Sequence, residues 1–244
     1  MNPLEANLQT VQARIAAAAG RAGRDPADVT LVAVTKTQPP EVIRAAYDLG
    51  LRHFGENRIE EAEEKMDRLP AEITWHMIGH IQSRKAKRIV PRFDVVHSMD
   101  SVKLARRLDR LCVDLPAPLP VLLEFNISGE TSKYGFATDR WAESGPASES
   151  LLAELEEIGA LAHLRVEGLM TMAPIVADAE EARPVFIRLR QLRDELAVAF
   201  PHGEWRHLSM GMTDDFEVAI EEGATLVRVG RAIFAPQVPP WRKG

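Results

Sequence analysis

Short apolar runs alternate along this chain with longer stretches in which apolar residues recur every three or four positions. The first such stretch, residues 4–22, carries Leu4, Leu8, Val11, Ile15 and Ala18 on one face, which predicts an amphipathic helix broken by Arg24-Asp25-Pro26. Leu31 to Lys36 then reads as an apolar, β-branched strand closed off by Pro39 and Pro40. A continuous apolar run of this kind suits a strand buried on both faces of a parallel sheet. Further strands are predicted over 52–55, 74–78, 94–97, 121–127, 164–170, 204–210 and 224–229. Helices are predicted between them over 41–49, 57–69, 82–90, 98–112, 148–161, 179–200 and 214–221, with a last short one over 230–234. Pro184 is expected to trim the first turn of the long helix. Polar turns are expected at 114–120, 128–139 and Gly145-Pro146.

Strict strand–helix alternation implies a parallel sheet with right-handed crossovers. Eight units in 244 residues favour an α/β fold of the single-domain (β/α)8 TIM barrel class with an extra N-terminal helix, spanning residues 1–244. An open doubly wound sheet is the alternative. No strand is followed by a Gly-x-Gly-x-x-Gly turn, which weakens its dinucleotide-binding version.

Composition narrows the picture. With 45% hydrophobic residues the chain can bury a sizeable core, and its net charge of -6 argues against general binding to nucleic acid or anionic membranes. The basic run Arg84-Lys85-Ala86-Lys87-Arg88 reads as a solvated helix face. The single cysteine, Cys112, lies in a helical pattern, where packing is its expected role; it excludes an intramolecular disulfide and fits a reducing compartment. The first twenty residues lack the order of a signal peptide, and no apolar run approaches a membrane span. A soluble, cytoplasmic protein is expected.

In a barrel the chemistry gathers at the C-terminal strand ends. Lys36 ends the first strand. A desolvated amine there would become nucleophilic, as in a Schiff-base lysine, whereas a solvated lysine would merely end the strand; the stretch alone leaves both readings open. After the last two strands, Ser209 and Thr213 offer hydroxyls, Gly211 permits close backbone approach, and Gly230 opens a helix with Arg231 beside it. That grouping resembles a barrel phosphate cradle, with ordinary turn glycines and an exposed arginine as the plain alternative. Asp214 and Glu217 have capping-box spacing.

Arg228 interrupts the apolar run Leu226-Val227-Arg228-Val229. It is expected either to pair outward with a helix carboxylate or to donate to a ligand acceptor such as a pyridine nitrogen. His76, His97 and His207 on three strands invite a metal reading, but no His-x-His or His-Glu-x-x-His spacing supports it. Met170, Met172, Met210 and Met212 serve equally as core or as an apolar wall for an aromatic ring.

The motifs Ala33-Val34-Thr35-Lys36-Thr37, His53-Phe54-Gly55-Glu56-Asn57, Gly168-Leu169-Met170-Thr171-Met172, Ser209-Met210-Gly211-Met212-Thr213 and Val227-Arg228-Val229-Gly230-Arg231 stand in an order that resembles the pyridoxal phosphate homeostasis proteins. So do Trp75 to Lys85, Val96-His97-Ser98 and Asn126 to Gly135, so that the resemblance runs from the first helix to Phe234. Ala235 departs from the family's usual glycine, and Ile59 and Met77 are conservative variants.

The resemblance implies a barrel like the N-terminal domain of alanine racemase and of eukaryotic-type ornithine decarboxylase, without a second domain. It implies that Lys36 bears pyridoxal 5′-phosphate as a Schiff base and that Arg228 faces the pyridine nitrogen. Ser209, Thr213, Gly230 and Arg231 would cradle the phosphate, and Asn57, Met170, Met210 and Gly211 would line the cofactor. The expected function is cofactor binding, buffering and delivery to pyridoxal phosphate-dependent apo-enzymes by a monomer with no catalytic residues and no metal. A weak amino-acid racemase or Schiff-base enzyme using the same lysine is the alternative. A racemase needs a second base, usually a tyrosine from a second domain; of Tyr47 and Tyr134, only Tyr134 is placed to approach the mouth.

Overall fold

The computed structural model describes residues 2–137, 149–201 and 203–235. The expected turn at Gly145-Pro146 lies outside them. Helix α1 (Pro3–Arg21) begins where Asn2 accepts the Leu4 N–H and Pro3 occupies the first turn. Its buried face, Leu8, Val11, Ile15, Ala18 and Ala19, is the one the spacing predicts.

Next come strand β1 (Thr30–Val34), helix α2 (Pro40–Asp48), β2 (His53–Glu56), α3 (Ile59–Met66) and β3 (Thr74–Met77). They are followed by α4 (Ala86–Ile89), β4 (Val95–Met99), α5 (Val102–Leu111) and β5 (Leu119–Asn126). A two-residue strand β6 (Phe136–Ala137) precedes α6 (Glu149–Gly159), β7 (Leu164–Met170), α7 (Arg183–Ala199), β8 (His207–Ser209), α8 (Phe216–Glu221), β9 (Leu226–Val229) and α9 (Arg231–Phe234).

The strands run β4-β3-β2-β1-β9-β8-β7-β5, all pairings are parallel, and β4 pairs with β5 to close the ring. The result is a closed eight-stranded barrel; β6 only pairs alongside the last two residues of β5. Closure decides against the open sheet. α1 packs on α8 and α9, below the last two strands.

Several boundaries move, and each shift has a local cause. β8 opens at His207 rather than 204, because the Trp205 indole donates to the Phe200 carbonyl and ties the preceding residues into a turn. The predicted helix over 179–200 starts as a 3-10 turn, Ala179–Ala182, and becomes α-helical at Arg183, with Pro184 in the first turn where its missing N–H costs nothing. The capping box does not form. Glu217 instead takes a bidentate bond from Arg14 (3.1 and 2.7 Å), and Asp215 occupies the cap position before α8. β1 ends at Val34, which leaves Lys36 in the turn beyond it.

Candidate functional site

At the C-terminal end of the barrel a cavity of about 320 Å³ brings together Lys36, Asn57, Thr213, Arg228, Gly230 and Arg231. Six of the ten residues singled out in the sequence therefore share one space. Met170, Ser209, Met210 and Gly211 do not line it. Met170 sits one layer down, in a cluster with Val32, Leu122 and Leu226, and Met210 is fully buried in the main core. The cavity wall is built instead by Met172 and Met212, two residues further along in each case, with Val34 and Ile78. Gly211 has φ +92, and a Cβ there would lie 2.6 Å from Ala219 Cβ. Its freedom serves the close approach of the loop to α8 rather than to an anion.

Lys36 is exposed, so of the two readings of the strand end the desolvated amine is not the one found. Its turn is nevertheless firmly held. Thr35 is fully buried and donates to Glu56 Oε1 at 2.7 Å. Lys65, on α3, donates both to the Thr35 carbonyl and to Glu56 Oε1, each at 2.9 Å. Burial pushes the Glu56 carboxyl above its ordinary range, and the bonds from Lys65 and Thr35 pull in the other direction. Thr37 adopts φ 63, a left-handed conformation that is costly for a β-branched residue. Its N–H reaches Glu61 Oε2 at 3.1 Å. Sequence reading passed over Lys65, which carries no motif signal; its spacing from Glu56 becomes meaningful only once α3 is folded over β2.

Arg228 points into the barrel and is 4% exposed, which excludes the outward ion pair. It donates to Ser209 Oγ and, at 2.8 Å, to the Thr171 carbonyl. Desolvation lowers its pKa to about 10, opposed by Glu124 and Asp215, so it stays charged at neutral pH. Glu124, buried on β5, is pushed up to about 7, chiefly by desolvation and further by Asp100, against Arg228. Its Oε2 has no hydrogen-bond partner.

Ser209 is fully buried, with its hydroxyl 2.8 Å from His97 Nδ1 as well as bonded to Arg228. It braces the arginine instead of facing the cavity as a phosphate donor. Thr213 Oγ1 accepts from the Ala232 N–H at 3.5 Å, and Arg231 at the exposed rim pairs with Asp214. His76 and His97 bond to each other through ring nitrogens 2.8 Å apart, and His207 bonds to Thr225. Among the described residues no three His, Cys, Asp or Glu side chains are grouped to hold a metal ion.

A neighbouring cavity of about 550 Å³ shares Asn57 with the first and is also lined by Gly79, His80, Gln82, Lys85 and Tyr134. A Cβ at Gly79 would lie 2.2 Å from the Asn57 carbonyl, so this glycine lets the two strand ends touch. Tyr134 stacks on His80 with ring centroids 3.7 Å apart, and His80 bonds Asp100 at 2.9 Å. Tyr134 therefore belongs to this second space and does not line the cavity of Lys36.

Fold and site define a class, the barrel domain of alanine racemases: the model of the alanine racemase N-terminal domain matches residues 6–237. An alanine racemase of Clostridium difficile shares only the fold at 14% identity, with a TM-score of 0.72; the match covers 98% of this chain and 58% of the racemase. Within that class the chain belongs to the family of pyridoxal phosphate homeostasis proteins. It is 44% identical over 236 residues to the pyridoxal phosphate homeostasis protein of Pseudomonas aeruginosa, with 96% of each chain covered. PipY of Synechococcus elongatus, solved with pyridoxal phosphate bound, is 34% identical with a TM-score of 0.75, covering 95% of this chain and 99% of PipY.

Proposed function

We propose that this protein binds pyridoxal 5′-phosphate at Lys36, acts in intracellular homeostasis of that cofactor, and passes it to apo-enzymes without a dedicated substrate of its own. The carrying observation is that an accessible amine and a buried guanidinium, charged at neutral pH, line one cavity. The donor set fits the cofactor: an amine for its aldehyde, apolar walls from Ile78, Met172 and Met212 for its ring, and Thr213, Gly230 and Arg231 for its phosphate. The relative solved with pyridoxal phosphate supports the same reading. When bound, the cofactor supplies an aldehyde that condenses with a lysine amine and a ring that can accept electrons.

Each residue then has a stated task. The turn held by Thr35, Glu56 and Lys65 presents Lys36. Arg228 would donate a hydrogen bond to the ring nitrogen without protonating it, and would so leave the ring a weak electron sink. Tyr134 is engaged with His80 in the adjoining space, and this favours a carrier over a racemase. The reading includes a monomeric, single-domain protein; no helix among the described residues is long and apolar enough to cross a membrane.

Absorbance tests this reading. Protein saturated with pyridoxal phosphate is expected to gain a visible band that Lys36→Ala lacks. A colourless wild type would overturn cofactor binding through the lysine. Steady amino-acid turnover by the wild type, absent in Lys36→Ala, would overturn the carrier role in favour of the racemase or Schiff-base enzyme. Transfer to an apo-enzyme no faster than from free cofactor would remove delivery, and a dimer on sizing would remove the monomer.

A further inference from the structure

Three histidines run through the barrel interior from its opposite end to Arg228. His53 opens β2 at the end away from the cavity, and its Nδ1 lies 3.0 Å from His76 Nε2. His76 Nδ1 lies 2.8 Å from His97 Nε2, and His97 Nδ1 lies 2.8 Å from Ser209 Oγ. Ser209 accepts from Arg228 Nη1. His97 and Ser209 are fully buried, His76 is nearly so, and His53 is half-buried.

The proton positions in such a chain are constrained. Arginine only donates, so Ser209 Oγ accepts from Arg228. A neutral imidazole has one N–H and one lone pair, and each nitrogen–nitrogen contact holds a single proton. His76 spends both nitrogens inside the chain, so its tautomer fixes those of His53 and His97. Two orders remain. In the first, Ser209 O–H donates to His97 Nδ1, His97 Nε2–H to His76 Nδ1, and His76 Nε2–H to His53 Nδ1. His53 then presents Nε2–H at the far end. In the second order every proton is reversed, and the buried Ser209 hydroxyl hydrogen loses its acceptor in the chain. Leaving a buried donor unmet is unfavourable, so the first order is preferred. It also aims aligned acceptors toward the buried guanidinium.

We propose that His53, His76 and His97 are positioning residues for Arg228, forming one relay whose protons are ordered as a unit and which makes Ser209 both the acceptor for the arginine and the donor to His97. The relay stands on this chain's own residues; only its bearing on the ring nitrogen rests on the proposed function. Its far end is the control point. A second proton on His53 fills Nδ1, which must then donate to His76, and the whole chain reverses. Burial holds His76 at about 3 and His97 well below the ordinary imidazole value, so neither charges first. His53 is held down by burial and up by Asp94, the charged group facing it from the turn before β4. His207 faces both His76 and His97, and Arg228 faces His97; charge on either opposes protonation of the inner rings. Glu124 and Asp215 act on Arg228.

Long-range proton–nitrogen spectra of protein labelled with ¹⁵N-histidine and ¹⁵N-arginine test the relay without any cofactor, so this inference and cofactor binding fail separately. At pH 7.5 all three rings are expected as Nε2–H tautomers. On acidification, His76 and His97 should move to Nδ1–H in the same transition that charges His53, and the Arg228 Nη1 resonance should shift with it. In His53→Phe, which removes the titrating end, that transition should vanish from His97. Ser209→Ala should leave the His53 tautomer mixed at pH 7.5, and Ser209→Thr, which keeps the hydroxyl, should restore it. Mixed tautomers in the wild type, separate midpoints for the three rings, a His97 transition that survives in His53→Phe, or a His53 ring indifferent to Ser209→Ala would each overturn the relay.

Discussion

Lys65 on α3 and Glu56 at the end of β2 form a buried ion pair at 2.9 Å directly beneath the turn that carries Lys36. The exposed lysine of the cavity is thus presented by a buried one. Lys65→Met removes the cation and leaves Glu56 with an uncompensated burial cost; the expected loss is about 3–5 kcal/mol, read as a lower urea midpoint. Loss of the bond to the Thr35 carbonyl also loosens the turn, so pyridoxal phosphate affinity should fall even where the protein is fully folded. Unchanged affinity in folded Lys65→Met would show that the pair supports the fold and not the site.

Gly211 is expected to tolerate no side chain. Gly211→Ala meets Ala219 and Phe216 and demands φ +92 from an L-residue. The expected cost is at least about 1 kcal/mol, visible in thermal unfolding. Because Met212 and Thr213 follow directly and line the cavity, cofactor affinity should weaken in the same variant. A variant as stable as the wild type would mean that the loop moves freely off α8.

Much of this was legible in the sequence, and the rest was not for identifiable reasons. Arg228 could be found because a charge inside a four-residue apolar strand has few affordable explanations. Lys36 could be found from its motif, whereas the stretch alone left its exposure open, because that depends on the strand ending two residues before it. Met172 and Met212 form the wall in place of Met170 and Met210 for two different reasons. Met170 shares its face with Met172 but lies deeper in the barrel. Met210 follows the inward-facing Ser209 and turns into the main core, and Gly211 at φ +92 ends the strand alternation before Met212. Ser209 was read as a cavity hydroxyl because its partner His97 lies 112 residues away. The histidine chain was unreadable for the same reason: strand register pairs His76 with Gly55 and with Val95, so His53, His76 and His97 share one face on a diagonal of two-residue steps, and no local pattern announces it.

The pH dependence of stability should carry the mark of Glu124. Its carboxyl is 3% exposed and is raised from 4.5 to about 7 in the fold. Between those values the folded protein keeps a proton that the unfolded chain releases. Stability from this group is therefore fully present below about pH 4.5, falls as pH rises, and is gone once the folded carboxyl ionises near 7. A shift of this size corresponds to about 3 kcal/mol. Glu124→Gln keeps the shape of the neutral acid and cannot ionise. Urea midpoints of this variant should vary less between pH 5 and 7.5 than those of the wild type, and the variant should be the more stable protein at pH 8. Parallel pH profiles for the two proteins would mean that Glu124 is already ionised in the fold at acid pH, with Arg228 compensating its charge more strongly than burial opposes it.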